Sequence, residues 1–240
     1  MPAISIGSKV TVSMITMNEA ASVASVIKDI QKNIPGAEIL IVDSSKDNTP
    51  QIAKKLGARV IRQFPPRGYG PAMERALRKS TREVVITMDC DNTYPAEQIP
   101  ILACLILEKG YDLVDGSRLK SKPAAMPWLN YFANVFFALI ATVLFFRKLT
   151  DLHSGMRAYR KSMIDNIEFQ AKGAALPVEL LLKPMILGYK VHTIFIDYHE
   201  RIGVSTMRPF QSAWWTLKRI ITIRLLSIFL NKSKCRVGKA

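Results

Sequence analysis

The chain has 240 residues, of which 49% are hydrophobic and 22% are charged. This composition supports a sizeable core in one large or two small α/β domains, and it excludes a disordered or low-complexity chain. Its 34 Lys and Arg against 19 Asp and Glu give a net charge of +15, which indicates an anionic partner such as nucleic acid, an anionic membrane or a phosphate-rich substrate.

Cysteine usage and the N-terminus predict the compartment. Cys90, Cys104 and Cys235 lack the spacing of metal ligands and are odd in number, which favours a reducing environment without a disulfide framework. The first ten residues have no basic region followed by an apolar core, so we predict no signal peptide. We therefore expect the protein on the cytosolic side of a membrane.

Residues 9–118 alternate between strand-like and helix-like segments, which is typical of a mostly parallel, Rossmann-like sheet flanked by helices. The predicted strands are 10–15, 38–42, 59–61, 84–88 and 113–114, and a further strand is predicted at 191–195. The predicted helices are 20–32, 51–56, 71–79, 97–108 and 179–187.

The strand predicted at 84–88 is followed by two acids, Asp89 and Asp91. Residues i and i+2 of an extended chain point the same way, so the two carboxylates face one side at the carboxyl end of the strand. Open α/β sheets bind ligands at that edge, and paired carboxylates suit Mg²⁺ or Mn²⁺ carried by a nucleotide. Two acids after a strand are also common in solvated loops, so this pair alone does not distinguish a metal site from a loop.

Residues 127–146 form a stretch of twenty residues without a charge, long enough to span a bilayer. Asn130 and Asn134 lie on one helical face within it, and the polar motif that follows is expected at the same site as Asp89. A single crossing would separate the two motifs. We therefore predict a membrane-interfacial helical segment at 127–147, with a transmembrane helix as the alternative.

From Arg201 to the C-terminus there are nine Lys and Arg and no acids. An apolar helical stripe runs through Trp214, Leu217, Ile221, Leu225 and Ile228. We predict a catalytic domain at 1–208 and a basic, partly amphipathic helix and tail at 209–240 that binds an anionic membrane surface. A packed core helix is the alternative for the stripe.

Seven short motifs occur in order along the chain, at residues 17–19, 42–49, 67–72, 89–95, 115–118, 151–160 and 200–205. Together they resemble glycosyltransferase family 2, and within it the dolichol- or polyprenyl-phosphate mannosyl- and glucosyltransferases. The resemblance extends from about residue 10 to 207. It departs from the family at Met17, where an aromatic residue is usual, and at Thr206, where Lys is frequent.

The resemblance implies a GT-A-type fold with interfacial helices in the C-terminal half. It also implies metal-dependent, inverting transfer of mannose or glucose from a GDP- or UDP-sugar to a polyprenyl or dolichyl phosphate. The site would lie on the cytoplasmic face of a membrane, with the protein attached peripherally. The alternatives are a family member acting on a glycan or soluble acceptor, and an inactive homologue.

Other classes fit the sequence less well. A nucleotidyltransferase usually carries a Gly-rich signature near the N-terminus, which is absent here. A nucleic-acid partner is not expected, because the aromatic residues show no RNA-recognition pattern and the cations follow a membrane-like helix. The oligomeric state stays open.

The resemblance also assigns roles to individual residues. On the donor side it implies nucleotide contacts by Glu19, Asp43, Asp89 and Asp91, with Asp89 and Asp91 holding Mg²⁺ or Mn²⁺. Phosphate contacts are implied for Arg118, Arg201 and Arg157, and an acceptor loop for Ser154, Gly155 and Ser205.

Asp91, Arg118 and Asp151 are the expected catalytic residues. Asp151 is a candidate general base. A lipid phosphate is already ionised near neutral pH, however, since the second pKa of a phosphate ester is about 6. We therefore expect Asp151 to orient Arg157 or its own loop instead.

Overall fold

The computed structural model describes residues 6–171, 173, 175–203 and 209–237. Within them, seven strands form one sheet in the order β3-β2-β1-β4-β6-β5-β7. The strands are β1 (Val10–Thr16), β2 (Glu38–Asp43), β3 (Arg59–Arg62), β4 (Val84–Thr87), β5 (Leu113–Ser117), β6 (Arg157–Arg160) and β7 (Val191–Phe195). All six predicted strands are present, each within a few residues of its predicted bounds.

The helices follow the predicted alternation in the first half of the chain. They are α1 (Val23–Asn33), α2 (Thr49–Lys55), α3 (Tyr69–Lys79), α4 (Ile99–Leu107), α5 (Trp128–Phe145), α6 (Lys161–Asn166), α7 (Leu176–Ile186) and α8 (Pro209–Val237). One hydrophobic core packs α1 and α4 against one face of the sheet. A second core packs α3, α5, α7 and α8 against the other face.

Strands β2, β1 and β4 are parallel neighbours, and their carboxyl ends lie at one edge. Thr16 pairs with Asp43 in the register of β1 and β2, and Ser13 of β1 pairs with Thr87 of β4. Their apolar, β-branched residues are buried because helices cover both faces, as expected for parallel strands. This edge carries the acids that the sequence singled out.

Strand β6 was not predicted, and it makes the sheet mixed. It runs antiparallel between β4 and β5, with Arg157 opposite both Thr87 and Asp115. The chain therefore leaves β5, forms α5 and returns to a strand hydrogen-bonded to β5. This return places residues 151–156 beside the end of β4.

Helix α5 coincides with the predicted apolar segment. It is long and apolar enough to cross a membrane by length and composition, with a mean hydropathy of 1.7, and only 17% of it is buried. Phe137, Ala138, Ala141 and Phe145 pack inward. The opposite face exposes Trp128, Leu129, Phe132, Val135, Phe136, Leu139 and Val143.

Helix α8 has one buried and one exposed face, and the predicted stripe lies mostly on the exposed face and not in the core. Ile220 and Ile223 are buried in the second core. Four residues of the predicted stripe are exposed, namely Trp214, Ile221, Leu225 and Ile228, while Leu217 is half-buried. The guanidinium of Arg224 lies 5.6 Å from the ring centre of Phe146, just beyond α5. The exposed apolar faces of α5 and α8 thus belong to neighbouring helices.

Candidate active site

Asp91 is held in place by its own turn and by a distant arginine. Its Oδ1 accepts hydrogen bonds from the backbone N–H (3.1 Å) and the hydroxyl (2.5 Å) of Thr93. Asn92 has φ of 68°, a left-handed conformation that lets the chain turn back over the carboxylate. Oδ2 of Asp91 lies 2.6 Å from Nη2 of Arg201. Asp91 is only 2% exposed, so its position is well defined.

Asp89 lies under the loop that carries the second motif. A Cβ built on Gly155 would come 3.0 and 3.1 Å from the two Asp89 carboxylate oxygens, so only glycine leaves these oxygens clear. Burial, and then the charge of Asp91, raise the pKa of Asp89 to about 6. Two acids in a partly desolvated site favour a bound cation.

The residues present fit a divalent metal. Carboxylate oxygens are the ligands that Mg²⁺ and Mn²⁺ prefer. Asp89 and Asp91, whose charges interact, would be the acids that hold the ion. The described part of the chain contains no group of three or more His, Cys, Asp or Glu side chains arranged for a metal. This fits a metal that keeps waters and takes its other ligands from a nucleotide diphosphate.

The loop at 151–156 is attached to β4 and β5 by hydrogen bonds. The backbone N–H of Gly155 donates to the hydroxyl of Tyr94 (2.6 Å), and the Thr87 hydroxyl donates to the Gly155 carbonyl (2.8 Å). The buried Ser154 hydroxyl donates to the carbonyl of Gly116. Ser154 therefore supports the loop, and of the two described members of the predicted acceptor loop, Gly155 lies close to the carboxylate of Asp89.

Asp151 pairs with Arg118, and its Oδ1 also accepts the backbone N–H of His153 (3.0 Å), so its side chain orients its own loop, as one of the two expectations had it, and not Arg157. Its Oδ2 lies 2.7 Å from Nε and its Oδ1 lies 3.0 Å from Nη2 of Arg118, a bidentate pair. Burial opposes ionisation of Asp151, but the Arg118 guanidinium outweighs it and lowers the pKa to about 2. Such an acid is a poor proton acceptor near neutral pH, and its contacts suit it to positioning Arg118.

Arg157 does not face the site. It is 0% exposed, and it forms an ion pair with Asp115 at 2.5 Å. Its other donors reach the carbonyls of Pro177, Asp151 and Leu152. With its guanidinium committed to these acceptors, Arg157 is not available to a phosphate. We reassign it from phosphate binding to holding β6 and the 151–156 loop against β5.

Glu19 and Asp43, the other two acids predicted to contact the nucleotide, differ in access. Glu19 is half-buried, and burial followed by the charge of Asp91 raises its pKa. Asp43 is fully buried, accepts hydrogen bonds from the hydroxyls of Thr16 and Ser45, and pairs with Arg62. Glu19 is therefore the accessible donor-side acid, whereas Asp43 meets a ligand only after one of its partners is displaced.

Tyr198 is a site residue that sequence reasoning missed. The Arg118 guanidinium lies 5.2 Å from its ring centre, and its ring makes an edge contact with Tyr94 at 5.8 Å. Tyr94 lies within the predicted motif at 89–95, whereas none of the seven motifs includes Tyr198. Ser205 and Thr206 lie outside the described residues.

Comparisons with known proteins identify the fold and the family. The sequence profile of the family described as "Glycosyl transferase family 2" matches residues 11–168. A dolichyl-phosphate hexose transferase of Haloferax volcanii is 41% identical over 211 residues, covering 88% of this chain and 91% of the relative. A low-salt glycan biosynthesis hexosyltransferase of the same organism is 28% identical and covers 85% of this chain, but the match spans only 51% of that relative.

Solved structures support the same fold. Glucosyl-3-phosphoglycerate synthase from Mycobacterium tuberculosis, crystallised with Mn²⁺, UDP and phosphoglyceric acid, matches with a TM-score of 0.73 and 20% identity. The match covers 92% of this chain and 81% of that one. The predicted GT-A-type architecture is thereby confirmed. With the family profile matching well over half of its length, this chain belongs to glycosyl transferase family 2 and is a glycosyltransferase.

Proposed function

We propose that this enzyme transfers a hexose from a nucleotide-sugar to a dolichyl or other polyprenyl phosphate, with inversion at the anomeric carbon. The observation that carries the proposal is the contact between the two motifs: Gly155 of the acceptor loop lies directly on Asp89 of the Asp-x-Asp pair. The 41% identical Haloferax volcanii relative, a dolichyl-phosphate hexose transferase, supports the hexose and the lipid acceptor.

The charges of the site suit a diphosphate leaving group. A divalent metal at Asp89 and Asp91 would neutralise charge that develops on the departing nucleoside diphosphate. Arg201 supplies a partly exposed guanidinium group, which suits planar, two-pronged pairing with phosphate oxygens. Nε and Nη2 of Arg118 are paired with Asp151, so Arg118 would meet a phosphate through Nη1. Both arginines are close enough to lower the pKa of Asp89 by their charge, so both are near enough to the acids to contact the donor or the acceptor phosphate.

The state of Asp151 supports an anionic acceptor. Its carboxylate is tied to Arg118 and its pKa is lowered to about 2, so it is unsuited to deprotonating a neutral hydroxyl near pH 7. A lipid phosphate needs no such base, because its oxygen is already ionised. That oxygen would attack the anomeric carbon from the face opposite the diphosphate, and the carbon–oxygen bond to the diphosphate would break.

The exposed apolar helices support attachment to a membrane surface. Helix α5 presents large apolar side chains to solvent, and α8 adds a second exposed stripe. Because β5 and β6 are neighbours in one sheet, the segment between them returns to the side it left. This argues for an interfacial helix and for peripheral attachment at the cytoplasmic face.

The test is a donor and acceptor screen. Purified protein would be incubated with GDP- and UDP-hexoses, extracted polyprenyl phosphates, and Mg²⁺ or Mn²⁺, and the lipid product identified by mass and anomeric configuration. We expect a hexosyl phospholipid that disappears with EDTA and in Asp91→Asn. Efficient transfer to a soluble glycan without lipid would instead establish the alternative acceptor class, and absence of transfer with every donor would favour an inactive homologue.

A further inference from the structure

One ion pair joins the proposed metal site to the segment that follows β7. Nη2 of Arg201 lies 2.6 Å from Oδ2 of Asp91, while Oδ1 of Asp91 already accepts two hydrogen bonds from Thr93. Both oxygens of this carboxylate are thus engaged by the protein itself. A cation that binds Asp91 through Oδ2 has to displace the guanidinium.

The backbone around Arg201 is fixed to the same turn. The N–H of Ile202 donates to the carbonyl of Asp91 (2.9 Å), and the N–H of His199 donates to the carbonyl of Thr93 (3.0 Å). Only the side chain of Arg201 has to move for the ion pair to open. That side chain is 35% exposed, so solvent-accessible space is available for the movement. When the pair opens, the guanidinium stays within one side-chain length of the metal site.

Charge balance gives the exchange its direction. While Arg201 is paired with Asp91, the site attracts a bare divalent ion only weakly, because one of its two carboxylates already has a cationic partner. A nucleotide diphosphate brings both a metal and new anionic oxygens, and these oxygens offer the guanidinium a partner as good as the one that it loses. Leaving Arg201 without a partner beside a divalent cation would be unfavourable.

We propose that Arg201 is an exchangeable counter-ion, paired with Asp91 in the free enzyme and with the donor diphosphate in the loaded enzyme. The exchange makes the metal bind weakly alone and strongly with the nucleotide. The metal and the nucleotide-sugar therefore bind together. An enzyme without bound donor then carries little metal that could bind other phosphates. This inference rests on the proposed metal at Asp89 and Asp91.

The test measures Mn²⁺ binding by calorimetry and by the paramagnetic resonance of free Mn²⁺, without any sugar transfer. In Arg201→Gln, we expect Mn²⁺ alone to bind about tenfold more tightly than to the wild type, because Oδ2 of Asp91 is released and the positive charge is gone. In the presence of GDP or UDP, we expect the order to reverse. The cooperativity between metal and diphosphate should fall by about 5- to 150-fold, the usual span of coupling between sites.

Two variants make the result specific. Arg62→Gln removes an arginine from a different buried acid, Asp43, and should leave the affinity for Mn²⁺ unchanged. Arg201→Lys keeps the charge, and it should keep the weak binding of bare Mn²⁺. An unchanged or weakened affinity of Arg201→Gln for bare Mn²⁺ would overturn the exchange while leaving the metal site standing. Failure of the wild type to bind Mn²⁺ even with both nucleotides would refute the metal site as well.

Discussion

At the scale of single residues, the three acids nearest the reaction differ because of what each one touches. Asp89 faces Gly155 and another acid, and its pKa is raised to about 6 by burial and that neighbour. Asp151 is more deeply buried, but its pKa falls to about 2 because it faces Arg118. Asp91 sits between Thr93 and Arg201. The same side chain is therefore suited to three different roles: we propose that Asp89 binds a metal, that Asp151 positions an arginine and that Asp91 exchanges partners.

The pair between Arg118 and Asp151 should make stability depend on pH. The folded-state pKa of Asp151 lies below its usual value of 3.8, so its stabilising contribution is complete above about pH 4 and is lost as the pH falls toward 2. The shift corresponds to about 2 kcal/mol. In Asp151→Asn, the free energy of unfolding should be lower by at least this amount at pH 6, and its fall between pH 4 and 2 should be shallower. Urea titrations across that range measure both.

The matched control for this prediction is Asp165→Asn. Asp165 forms an exposed pair with Lys161 on α6, where solvent screens the interaction. This variant should retain both the stability and the acid profile of the wild type. An acid profile of Asp151→Asn identical to that of the wild type would remove the argument for a strongly coupled pair.

A side chain at position 155 should reduce activity and metal binding without preventing folding. A Cβ at this position would lie within 3.1 Å of both Asp89 oxygens and of the Tyr94 hydroxyl. We expect Gly155→Ala to lose at least tenfold in turnover and in affinity for Mn²⁺ with nucleotide, while the far-ultraviolet circular dichroism stays unchanged.

Gly57→Ala is the control, because it should change stability without changing metal binding. Gly57 has φ of 85° with open space around it, so alanine should cost about 1 kcal/mol of stability and leave metal binding intact.

The sequence predicted where the acids of this site lie, but it did not predict which side chains form ion pairs with one another. The alternation of the chain and the Asp-x-Asp spacing predicted which edge carries Asp89 and Asp91, because strand geometry is local. The pairing of Arg118 with Asp151, and of Arg157 with Asp115, depends on contacts across 33 and 42 residues. Such contacts exist only after the sheet has formed.

At the scale of elements, the missed strand β6 is the most informative difference. Its four residues, Arg-Ala-Tyr-Arg, contain no β-branched side chain and show no apolar run. They form a strand because β4 and β5 lie on both sides and supply hydrogen-bond partners. Tertiary context therefore overrides local propensity here. The insertion of β6 is also what brings the acceptor loop to Asp89.

Helix α5 should bind membranes through its outer face. Phe132 and Leu139 are 59% and 60% exposed on that face, so glutamate at both positions removes apolar area without disturbing the core. We expect Phe132→Glu with Leu139→Glu to fold normally and to lose most binding to anionic lipid vesicles in sedimentation assays. Ile101→Glu is the control, because Ile101 is also an exposed apolar residue (49%), and it lies on α4 in the other helix layer. Equal loss in the control would mean that α5 has no special role.

At the scale of the whole molecule, the sheet and the net charge together would govern how the enzyme approaches a membrane. Because β6 is hydrogen-bonded to β5, an interfacial α5 would keep both of its ends on the side of the catalytic domain. The net charge of +15 attracts the protein to an anionic surface before the two are in contact. Each cation near such a surface contributes about 1 kcal/mol, an interaction that salt screens within a Debye length.

Peripheral attachment should be visible from labelling in sealed vesicles. Lys120 and Lys148 are exposed residues that flank α5 on its two sides. When the protein is bound to the outer surface, a membrane-impermeant amine reagent should modify both lysines to the same extent, and high salt should release part of the protein into solution. A helix that crossed the bilayer once would hide one of the two lysines until detergent was added, and it would resist both salt and carbonate. Protection of Lys148 with Lys120 modified would contradict the interfacial position of α5. It would also place the Asp89 and Asp151 motifs in different compartments, which the contact between Gly155 and Asp89 does not allow.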